Sequence, residues 1–403
     1  MPAPQLVPEP WLGRRVLLGV AGGIAAYRSA ETARLLMHHG MDVHVVMTAA
    51  AQEFITPLTF EALTGNPVHH QTFAAGERTM AHIALVRQSD LLLVAPCTAN
   101  VMAKFAHGIA DDLLTTMYAA KADTPVLLAP AMNPAMWQHP ATQRNQQQLQ
   151  ADGVEVVAPQ QGGTACGEQG VGRMASPEDL LFAVQSALTP SLLKGQRWVV
   201  NAGPTVEPWD AVRVLTNRAS GQLGCLIAEQ AAMLGAHVTL IAEPRVRAIH
   251  PSITRIYTSD TASMMQACVA AAAGCDVFIA TAAVSDYRFA DQHSHKLKRQ
   301  GADRLEIALL NNPDVVAHIA AMPARPRLVV AFAAESDDHC THARGKLEKK
   351  GVDAIIANDV SRMGEASAGG WWLSQAQCLV IPTADKSTFA RHIISHILEL
   401  CCD

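Results

Sequence analysis

The feature that most constrains the fold is an alternation of short apolar β-type runs with stretches of helical spacing. In the first half of the chain, helical stretches such as Ala30–His39 and Asp111–Ala120 lie between the β-type runs. These runs are Val16–Val20, Val43–Met47, Leu91–Ala95, Val126–Ala129 and Val154–Ala158. Alternation of this kind predicts a parallel sheet with helices on both faces. Ligands of such sheets bind beyond the carboxyl ends of the strands, so we expect the functional residues there.

The same pattern starts again after a polar break at Leu188–Gly195. The new β-type runs are Trp198–Asn201, Val238–Ala242, Val277–Ala280, Leu328–Ala331 and Ala354–Ala357. A chain of 403 residues is also too long for one ordinary core. We therefore predict two three-layer, Rossmann-like α/β domains with mainly parallel sheets, at residues 1–189 and 190–403. The segment Arg288–Arg304 is polar and poor in strand formers, and we expect a mobile loop there.

Composition and charge argue against several classes of protein. A content of 49% hydrophobic and 17% charged residues is typical of a globular chain, and the net charge of −5 provides no basic surface for nucleic acid. Met1–Pro10 lacks the features of a signal peptide, and no apolar run approaches the roughly 20 residues of a membrane helix. The nine cysteines form no Cys-x-x-Cys pair and no zinc-finger spacing. We therefore expect a cytoplasmic protein in a reducing compartment.

Four segments of the first domain carry residues suited to chemistry. Gly19–Tyr27 places glycines where the first strand turns into a helix, which favours phosphate binding, although an ordinary turn has the same composition. His82 is a natural general base near neutral pH, but a lone histidine is more often structural. Asn133 follows a strand and precedes a proline, so it is either a ligand-binding amide or a turn residue. Cys166 lies in a glycine-rich stretch that is either a lid or a flexible loop with an incidental thiol.

Together these segments resemble the flavin-dependent cysteine decarboxylases, specifically the phosphopantothenoylcysteine decarboxylase branch. The resemblance covers roughly residues 13–185. It is carried by His82-Ile83, Ala95-Pro-x-Thr-Ala-Asn100, Pro130-x-Met-Asn-x-x-Met136 and Ala165-Cys-Gly-Glu-x-Gly-x-Gly-Arg-Met174. It implies a flavodoxin-like flavoprotein domain that binds FMN. The implied FMN contacts are Gly22, Gly23, Thr48, Pro96, Thr98 and Asn100.

The resemblance also implies a reaction and the residues that perform it. FMN would oxidise the thiol of phosphopantothenoylcysteine to a thioaldehyde, which accepts the electrons left by the departing carbon dioxide. His82 would be the base of this oxidative half, and Asn133 would hold the substrate carboxylate, which an aspartate would repel. Cys166 would be the donor when the enethiol takes back a hydride and a proton, and Met136 would contact the substrate. Relatives bind FMN between the subunits of a trimer, which implies a homo-oligomer.

The second domain begins with a comparable turn after its first strand. Asn201–Asp210 leads into Val212–Gly221, and together they present an anion-binding turn with an arginine and an amide nearby. A nucleotide-binding domain with another use would show the same turn. From about residue 195 to 360, however, the chain resembles the phosphopantothenate–cysteine ligases. Further matching segments are Ala282–Tyr287, Lys296–Lys298, Asn312–Val316, Phe332–Glu335 and Ala357–Asp359. The order of decarboxylase and ligase is that of the bacterial bifunctional enzymes.

This second resemblance implies that 4'-phosphopantothenate is joined to cysteine through an acyl-cytidylate made from CTP, because a carboxylate alone is a poor electrophile. Asn217 and Lys296 would be catalytic, with Lys296 neutralising triphosphate charge. The implied substrate contacts are Arg213, Ala282, Ala283, Asp286, Pro313, Asp314, Val315, Val316, Phe332, Lys346 and Lys350. For the last two lysines, a solvated helix face is the alternative. Mg²⁺ would be held mainly by phosphate oxygens, so we predict no protein metal ligand. Relatives imply ligase dimers.

Two departures from these families and two alternative functions remain. Cys97 stands where relatives usually carry alanine, and Met363–Trp372 lacks an Asp and an Asn that relatives carry.

A binding protein that has lost its activity is one alternative function, but His82, Asn133 and Cys166 are present. A nicotinamide oxidoreductase is the other, but the Gly-x-Gly-x-x-Gly fingerprint is absent.

Overall fold

The computed structural model describes residues 9–71, 81–163, 167–247, 249–298, 305–335, 339–359, 365 and 367–402. These residues form two compact units, Glu9–Pro190 and a second unit that begins at Ser191. Each unit has its own central sheet. Within the described residues, no helix has both the length and the hydrophobicity to cross a membrane.

The first unit contains a six-stranded parallel sheet and a separate hairpin. The strands of the sheet are β1 (Arg15–Val20), β2 (Asp42–Met47), β3 (Val68–His69), β4 (Leu91–Cys97), β5 (Val126–Pro130) and β6 (Glu155–Val156), and those of the hairpin are β7 (Gln160–Gly163) and β8 (Gln169–Arg173). The sheet order is β3-β2-β1-β4-β5-β6. Without the two-residue edge strand β3, this is the 2-1-3-4-5 order of flavodoxin-like sheets.

Helices cover both faces of this sheet. They are α1 (Ala26–His38), α2 (Pro57–Thr64), α3 (Ala81–Arg87), α4 (Ala99–Ala106), α5 (Leu113–Ala120), α6 (Pro134–Gln138), α7 (Pro140–Ala151) and α8 (Pro177–Leu188), with a 3₁₀ helix at Ala49–Glu53. Leu17, Leu92 and Leu128 pack on one face in a cluster with residues of α4 and α5, and α1 and α8 pack on the other face. Because both faces are covered, the strands are apolar along nearly their whole length. The predicted three-layer α/β fold is confirmed.

The second unit has an eight-stranded sheet and two short two-stranded ribbons. The strands of the sheet are β9 (Arg197–Ala202), β12 (His237–Ala242), β13 (Thr254–Tyr257), β14 (Val277–Ala280), β17 (Leu328–Glu335), β18 (Ala354–Asp359), β19 (Ser367–Ser374) and β20 (Cys378–Asp385), in the order β13-β12-β9-β14-β17-β18-β19-β20. The last two strands are antiparallel and the other six are parallel. The ribbons pair β10 (Val206–Pro208) with β11 (Val214–Thr216), and β15 (Tyr287–Phe289) with β16 (Leu309–Asn311).

The core of the second unit is divided by its sheet into two apolar layers. Trp198 and Val200 of β9 point into one layer, whereas Val199 between them points into the other. This alternation follows from the two-residue period of a strand. The helices are α9 (Gln222–Met233), α10 (Thr261–Ala272), α11 (Val315–Ala320), α12 (His339–Lys350) and α13 (Lys386–Cys402).

Several sequence-based boundaries were wrong. The strand predicted at Val154–Ala158 is reduced to β6, two residues long, and the antiparallel strands β19 and β20 were not predicted. The mobile loop predicted at Arg288–Arg304 begins inside β15, where Arg288 and Phe289 pair with β16. Residues 299–304 of that loop lie outside the described part of the chain.

The described cysteines are mostly buried free thiols. Cys97, Cys225, Cys268 and Cys275 are buried and free, whereas Cys378 is disulfide-bonded, which the sequence analysis did not predict. Burial raises the pKa of Cys97, Cys268 and Cys275 to about 12. Because the thiolate is the reactive form, these three thiols are unsuited to nucleophilic or redox chemistry near neutral pH.

Candidate active sites

A large cavity lies at the carboxyl edge of the first sheet, where strands β1, β2, β4 and β5 end. Its volume is about 1080 Å³. Seven of the predicted site residues line it: Gly22, Gly23, Thr48, Thr98, Asn100, Asn133 and Met136. They come from four separate loops, which the parallel sheet brings to one edge.

Close backbone packing forms the floor of the cavity. A Cβ atom on Gly22 would lie 2.4 Å from the Cβ of Ala50, so only glycine fits at this turn, whereas the position of Gly23 is open, with Thr98 Cγ2 nearest at 3.8 Å. Thr48 and Thr98 each cap a helix, because their hydroxyls accept hydrogen bonds from the N–H groups of Ala51 and Val101. The cavity is therefore bordered by two helix N-termini, where partial positive charge favours an anion.

The β7–β8 hairpin closes one side of the cavity. A Cβ atom on Gly172 would lie 2.3 Å from the carbonyl oxygen of Met132, and the N–H of Met132 donates to the Gly172 carbonyl at 3.0 Å. Arg28 of α1 donates through Nη1 to the carbonyl of Met174 at 3.1 Å, just beyond β8. These contacts hold the end of β8 against the segment after β5 and against α1.

Asn133 connects the hairpin to the start of α6. Its Oδ1 accepts a hydrogen bond from the N–H of Ala135 at 2.7 Å, which caps the helix. Its Nδ2 donates to Oε2 of Glu168 at 2.8 Å. The amide is thus oriented by its oxygen while its nitrogen binds a carboxylate oxygen at the cavity.

Not all residues predicted for this site line the cavity. Pro96 is buried within β4 and its carbonyl accepts from the N–H of Ala21 at 3.3 Å. His82 lies in α3, but its side chain, like the whole of Cys166, is outside the described part of the structure. The sequence analysis did not single out Arg28, Lys104 or Asp111, which also line the cavity. The hydrogen bond from Lys104 to Asp111 (2.7 Å) raises the pKa of the lysine and lowers that of the aspartate.

In the second unit, the loops after β9 and β14 meet at the carboxyl edge of the sheet. The N–H of Ala283 donates to the carbonyl of Gly203 at 3.0 Å, and Nδ2 of Asn217 donates to the carbonyl of Ala283 at 2.9 Å. Ala282 donates its N–H to Oδ1 of Asn201 at 3.0 Å. Asn217, Ala282 and Ala283, predicted from separate segments, therefore lie together. Asn217 also lines a cavity of about 320 Å³ with Arg218, Ser220, Glu243 and Arg245 among its walls.

A second group of predicted residues forms around the start of α11. Asp314 caps this helix by accepting from the N–H of Ala317 at 3.1 Å, and Lys350 of α12 lies 3.0 Å from its Oδ2. Burial opposes ionisation of Asp314, but these two donors outweigh it and lower the pKa of the carboxyl. The neighbouring Pro313, Val315 and Val316 share this turn, and the backbone N–H of Asn312 donates to the carbonyl of Asp286 at 2.8 Å.

The remaining residues predicted for the ligase site lie outside these two groups. Phe332 lies within β17 and packs on an apolar layer of the core. Lys346 is half-buried on α12, and Lys296 is exposed. Arg213 is occupied by contacts within the chain, since its guanidinium donates to Asp210 Oδ2 and to the carbonyl of Leu297.

A buried polar network that the sequence analysis missed supports the same edge. Glu207 is 2% exposed, and its Oε1 accepts from the N–H and Oγ1 of Thr261 at 3.0 and 2.6 Å. Asn312 donates through Nδ2 to Thr261 Oγ1 at 3.2 Å and to the carbonyl of Ser285 at 2.9 Å. The sequence does show Glu207 shortly after a glycine turn, which could have marked it as a candidate. Its partner Thr261, however, lies 54 residues away in the sequence.

Family models match both units. Residues 7–189 match the family described as Flavoprotein, and residues 193–400 match the DNA/pantothenate metabolism flavoprotein C-terminal domain. The chain thus has two three-layer α/β units, and each gathers polar groups at the carboxyl edge of its sheet. Together with the two family matches, this defines a two-domain flavoprotein of pantothenate metabolism.

Curated relatives give a narrower assignment. The coenzyme A biosynthesis bifunctional protein CoaBC of Vibrio vulnificus (strain CMCP6) is 40% identical over 395 residues, covering 96% of this chain and 98% of that protein. The CoaBC protein of Vibrio parahaemolyticus is 44% identical over 355 residues, covering 88% and 89%, and that of Escherichia coli K12 is 40% identical over 354 residues, covering 87% of each. The chain belongs to the family of CoaBC proteins. The predicted resemblance to bifunctional enzymes of coenzyme A biosynthesis, with a decarboxylase and a ligase half, is confirmed.

Proposed function

We propose that the first unit is an FMN-dependent phosphopantothenoylcysteine decarboxylase and that the second unit is a CTP-dependent phosphopantothenate–cysteine ligase. The observation that carries the first half is the cavity of about 1080 Å³, which gathers from four loops seven of the residues that the family resemblance implied. The ligase would act first, because its product is the substrate of the decarboxylase. The product of the full sequence would be 4'-phosphopantetheine.

The residues of the cavity fit FMN. Gly22 allows the backbone to approach closely, and the capped helix starts at Thr48 and Thr98 favour a phosphate group. The volume also suits a cofactor together with part of a substrate. When bound, FMN would accept a hydride from the carbon that bears the substrate thiol and return it after carbon dioxide has left.

Asn133 would bind the substrate carboxylate. Its Nδ2 already donates to a carboxylate oxygen, that of Glu168 at 2.8 Å, so the amide has the orientation that such a group needs. A neutral donor binds the carboxylate without neutralising it strongly, and the site therefore still permits the loss of carbon dioxide. His82 would take the thiol proton in the oxidative half, and Cys166 would supply the proton that completes the saturated product.

The test of the decarboxylase half is Cys166→Ser in the full chain. We expect this variant to release carbon dioxide from phosphopantothenoylcysteine but to accumulate the unsaturated enethiol, because the proton donor is missing. Mass spectrometry of the products distinguishes the enethiol from phosphopantetheine. Cys97→Ala is the matched control, because Cys97 is buried with a pKa raised to about 12 and should be dispensable. Saturated product at the wild-type rate from Cys166→Ser would disprove the role.

In the ligase half, we propose that CTP binds along the carboxyl edge of the second sheet. The Lys350–Asp314 pair and the turn at Asn312–Val316 would contact the nucleotide, with Asp286, Phe332 and Lys346 around it. Lys296 would stabilise the negative charge of the triphosphate as pyrophosphate leaves. Asn217 would bind the acyl-cytidylate before the cysteine amine attacks it, and Mg²⁺ would accompany the phosphates.

The ligase half is tested by Lys296→Gln. We expect cytidylate formation to fall by about 10²-fold or more, as is typical for loss of one charge-stabilising group. Decarboxylation of added phosphopantothenoylcysteine by the same sample should be unchanged, which serves as the internal control for folding. Wild-type formation of CMP and pyrophosphate by the variant would remove Lys296 from the mechanism.

We also propose that the protein is a cytoplasmic homo-oligomer with decarboxylase trimers and ligase dimers. In support, the first unit exposes Ile24, Tyr27, Phe54 and Leu58, and the second exposes Val212, Val214, Leu309 and Leu310. Exposed apolar side chains of this size would be covered in such an assembly.

A further inference from the structure

Asp210 is a buried carboxylate with a complete set of hydrogen-bond donors. It follows β10 and is 4% exposed. Its Oδ1 accepts from the N–H groups of Val212 and Arg213, each at 2.8 Å. Its Oδ2 accepts from Nε and Nη2 of Arg213 at 2.9 and 2.5 Å and from the N–H of Leu297 at 3.1 Å. Burial opposes its ionisation, but these donors outweigh it and hold the pKa of Asp210 well below the ordinary range.

Arg213 binds the carbonyl of the same residue, Leu297, whose N–H donates to Asp210. Its Nη2 donates to the carbonyl of Leu297 at 2.8 Å. Its guanidinium lies over the ring of Trp209, 4.1 Å from the centroid, which fixes the plane of the fork. The aspartate and the arginine therefore hold both the N–H and the C=O of the same residue, 87 and 84 positions further along the chain.

Leu297 belongs to a segment with no regular secondary structure between β15 and residue 298. The N–H of His293 donates to the carbonyl of Trp209 at 2.9 Å, which adds a second attachment to the same loop. Leu297 is half-buried, whereas its neighbours Lys296 and Lys298 are exposed. Fixing the peptide of Leu297 thus fixes the point from which Lys296 projects.

We propose that Asp210 is a positioning residue of the ligase, which together with Arg213 clamps the peptide of Leu297 and thereby places Lys296 for the triphosphate of the nucleotide. The inference rests on the proposed function of Lys296. It assigns Arg213 to the same clamp rather than to direct contact with the acyl-cytidylate or with its phosphate end, which comes from phosphopantothenate. A charged pair is suited to this task because hydrogen bonds to charged groups are stronger than neutral ones.

The two assignments of Arg213 predict different kinetics. If Arg213 acts through the clamp, Arg213→Lys should raise the KM for CTP and lower the rate of cytidylate formation, with the KM for phosphopantothenate unchanged. If it binds phosphopantothenate directly, the KM for phosphopantothenate should rise instead. Lysine cannot reproduce the planar fork, so the substitution is not conservative at this site. This variant also keeps the bonds of Asp210 to the N–H groups of Val212 and Arg213, and the loop should still fold.

The deciding experiment combines these kinetics with tryptic cleavage of the full-length protein. The bond after Lys296 should be protected, because the peptide of Leu297 is held on both sides. Asp210→Asn and Arg213→Lys should each speed cleavage there by about tenfold or more, as expected for the loss of a charged hydrogen bond. Asp276→Asn is the matched control, because Asp276 Oδ2 also accepts from a backbone N–H of this unit, that of Arg197 at 2.7 Å, outside the clamp.

Each outcome has a defined meaning. Faster cleavage with impaired use of CTP in both clamp variants, and neither effect in Asp276→Asn, supports the proposal. Unchanged cleavage in both clamp variants, or faster cleavage with a wild-type KM and kcat for CTP, overturns it. Full ligase activity in Lys296→Gln would instead overturn the proposed role of Lys296, whatever the cleavage result. Decarboxylation by the same samples and circular dichroism verify that the variants are folded.

Discussion

Asn133 contributes to the fold through one atom of its side chain and presents the other at the proposed decarboxylase site. Its oxygen caps α6, and its nitrogen binds a carboxylate oxygen of Glu168. An aspartate at this position could still cap the helix, because its oxygen accepts the same N–H. It would, however, place a negative charge where the amide nitrogen now donates.

We therefore predict that Asn133→Asp keeps the fold but loses decarboxylase activity. Repulsion between the new carboxylate and that of the substrate should reduce kcat/KM for phosphopantothenoylcysteine by at least about 10²-fold, or about 2.7 kcal/mol. Steady-state release of carbon dioxide measures this loss, and ligase activity of the same sample reports on folding. Activity within a few-fold of wild type would show that Asn133 does not meet the carboxylate.

His396 gives a residue-scale prediction about stability. It is 3% exposed on α13, and its ring stacks on Trp372 of β19 at a centroid distance of 4.9 Å. Burial, with a contribution from His392, lowers the pKa of His396 to about 4. The unfolded chain therefore binds a proton below about pH 6.5 that the folded chain does not, and the free energy of unfolding should fall as the pH drops from 6.5 towards 4.

His396→Phe should remove this part of the pH dependence, which can reach about 1.4 kcal/mol per pH unit for one proton. Urea unfolding followed by tryptophan fluorescence at pH 7 and pH 5 measures it. The same substitution at the exposed His237 of β12 is the control and should leave the slope intact. The prediction would be contradicted if the free energy of unfolding changed equally between pH 7 and pH 5 in wild type and in His396→Phe.

At the scale of elements, the β7–β8 hairpin forms one wall of the cavity. Gly172→Ala places a Cβ atom 2.3 Å from the carbonyl oxygen of Met132, and the hairpin must move away from β5. Such overpacking typically costs about 1–3 kcal/mol. We expect weaker retention of FMN on gel filtration and slower decarboxylation. Gly162→Ala in the same hairpin is the control, because its Cβ atom would meet Arg173 Cδ at an ordinary 3.6 Å. Equal FMN retention by the two variants would contradict the expected displacement.

The elements that the sequence predicted well are those with a strong local pattern. Buried parallel strands such as β4 are continuous apolar runs, and helix α5, which lies within the predicted stretch Asp111–Ala120, begins at a capping box formed by Asp112 and Thr115. Strand β19 was missed because Gly369 and Gly370 weaken its pattern, and glycine at 370 is needed because the carbonyl of Ala357 lies 2.2 Å from where a Cβ would be. The ribbon of β15 and β16 was missed because its strands are 20 residues apart and only three residues long.

Site residues, like secondary-structure elements, could be predicted only where a local sequence pattern marks them. Asn133 was singled out from the sequence because it follows a strand and the carboxyl ends of parallel strands have a known place, whereas Thr98 was implied by the family resemblance. The clamp of Asp210, Arg213 and Leu297 was not found, because it depends on a contact across more than 80 residues that no local pattern encodes. Family resemblance supplied candidate roles for individual residues, and the structure supplied the contacts between them.

At the scale of the whole molecule, two units with separate sheets suit two consecutive reactions that need different chemistry. The first gathers apolar walls and helix N-termini around a cavity, whereas the second gathers charged pairs such as Lys350 and Asp314. One polypeptide would perform both reactions, and the two reactions together would be redox-neutral, because the hydride removed from the carbon that bears the thiol is returned.

The most direct test is product analysis after incubation of the purified full-length protein with 4'-phosphopantothenate, cysteine, CTP and Mg²⁺. We predict 4'-phosphopantetheine, carbon dioxide, CMP and pyrophosphate in equal amounts, with no added oxidant or reductant. Phosphopantothenoylcysteine that accumulates without release of carbon dioxide, from protein carrying bound FMN, would contradict the decarboxylase. Failure to consume CTP, with the fold intact, would contradict the ligase.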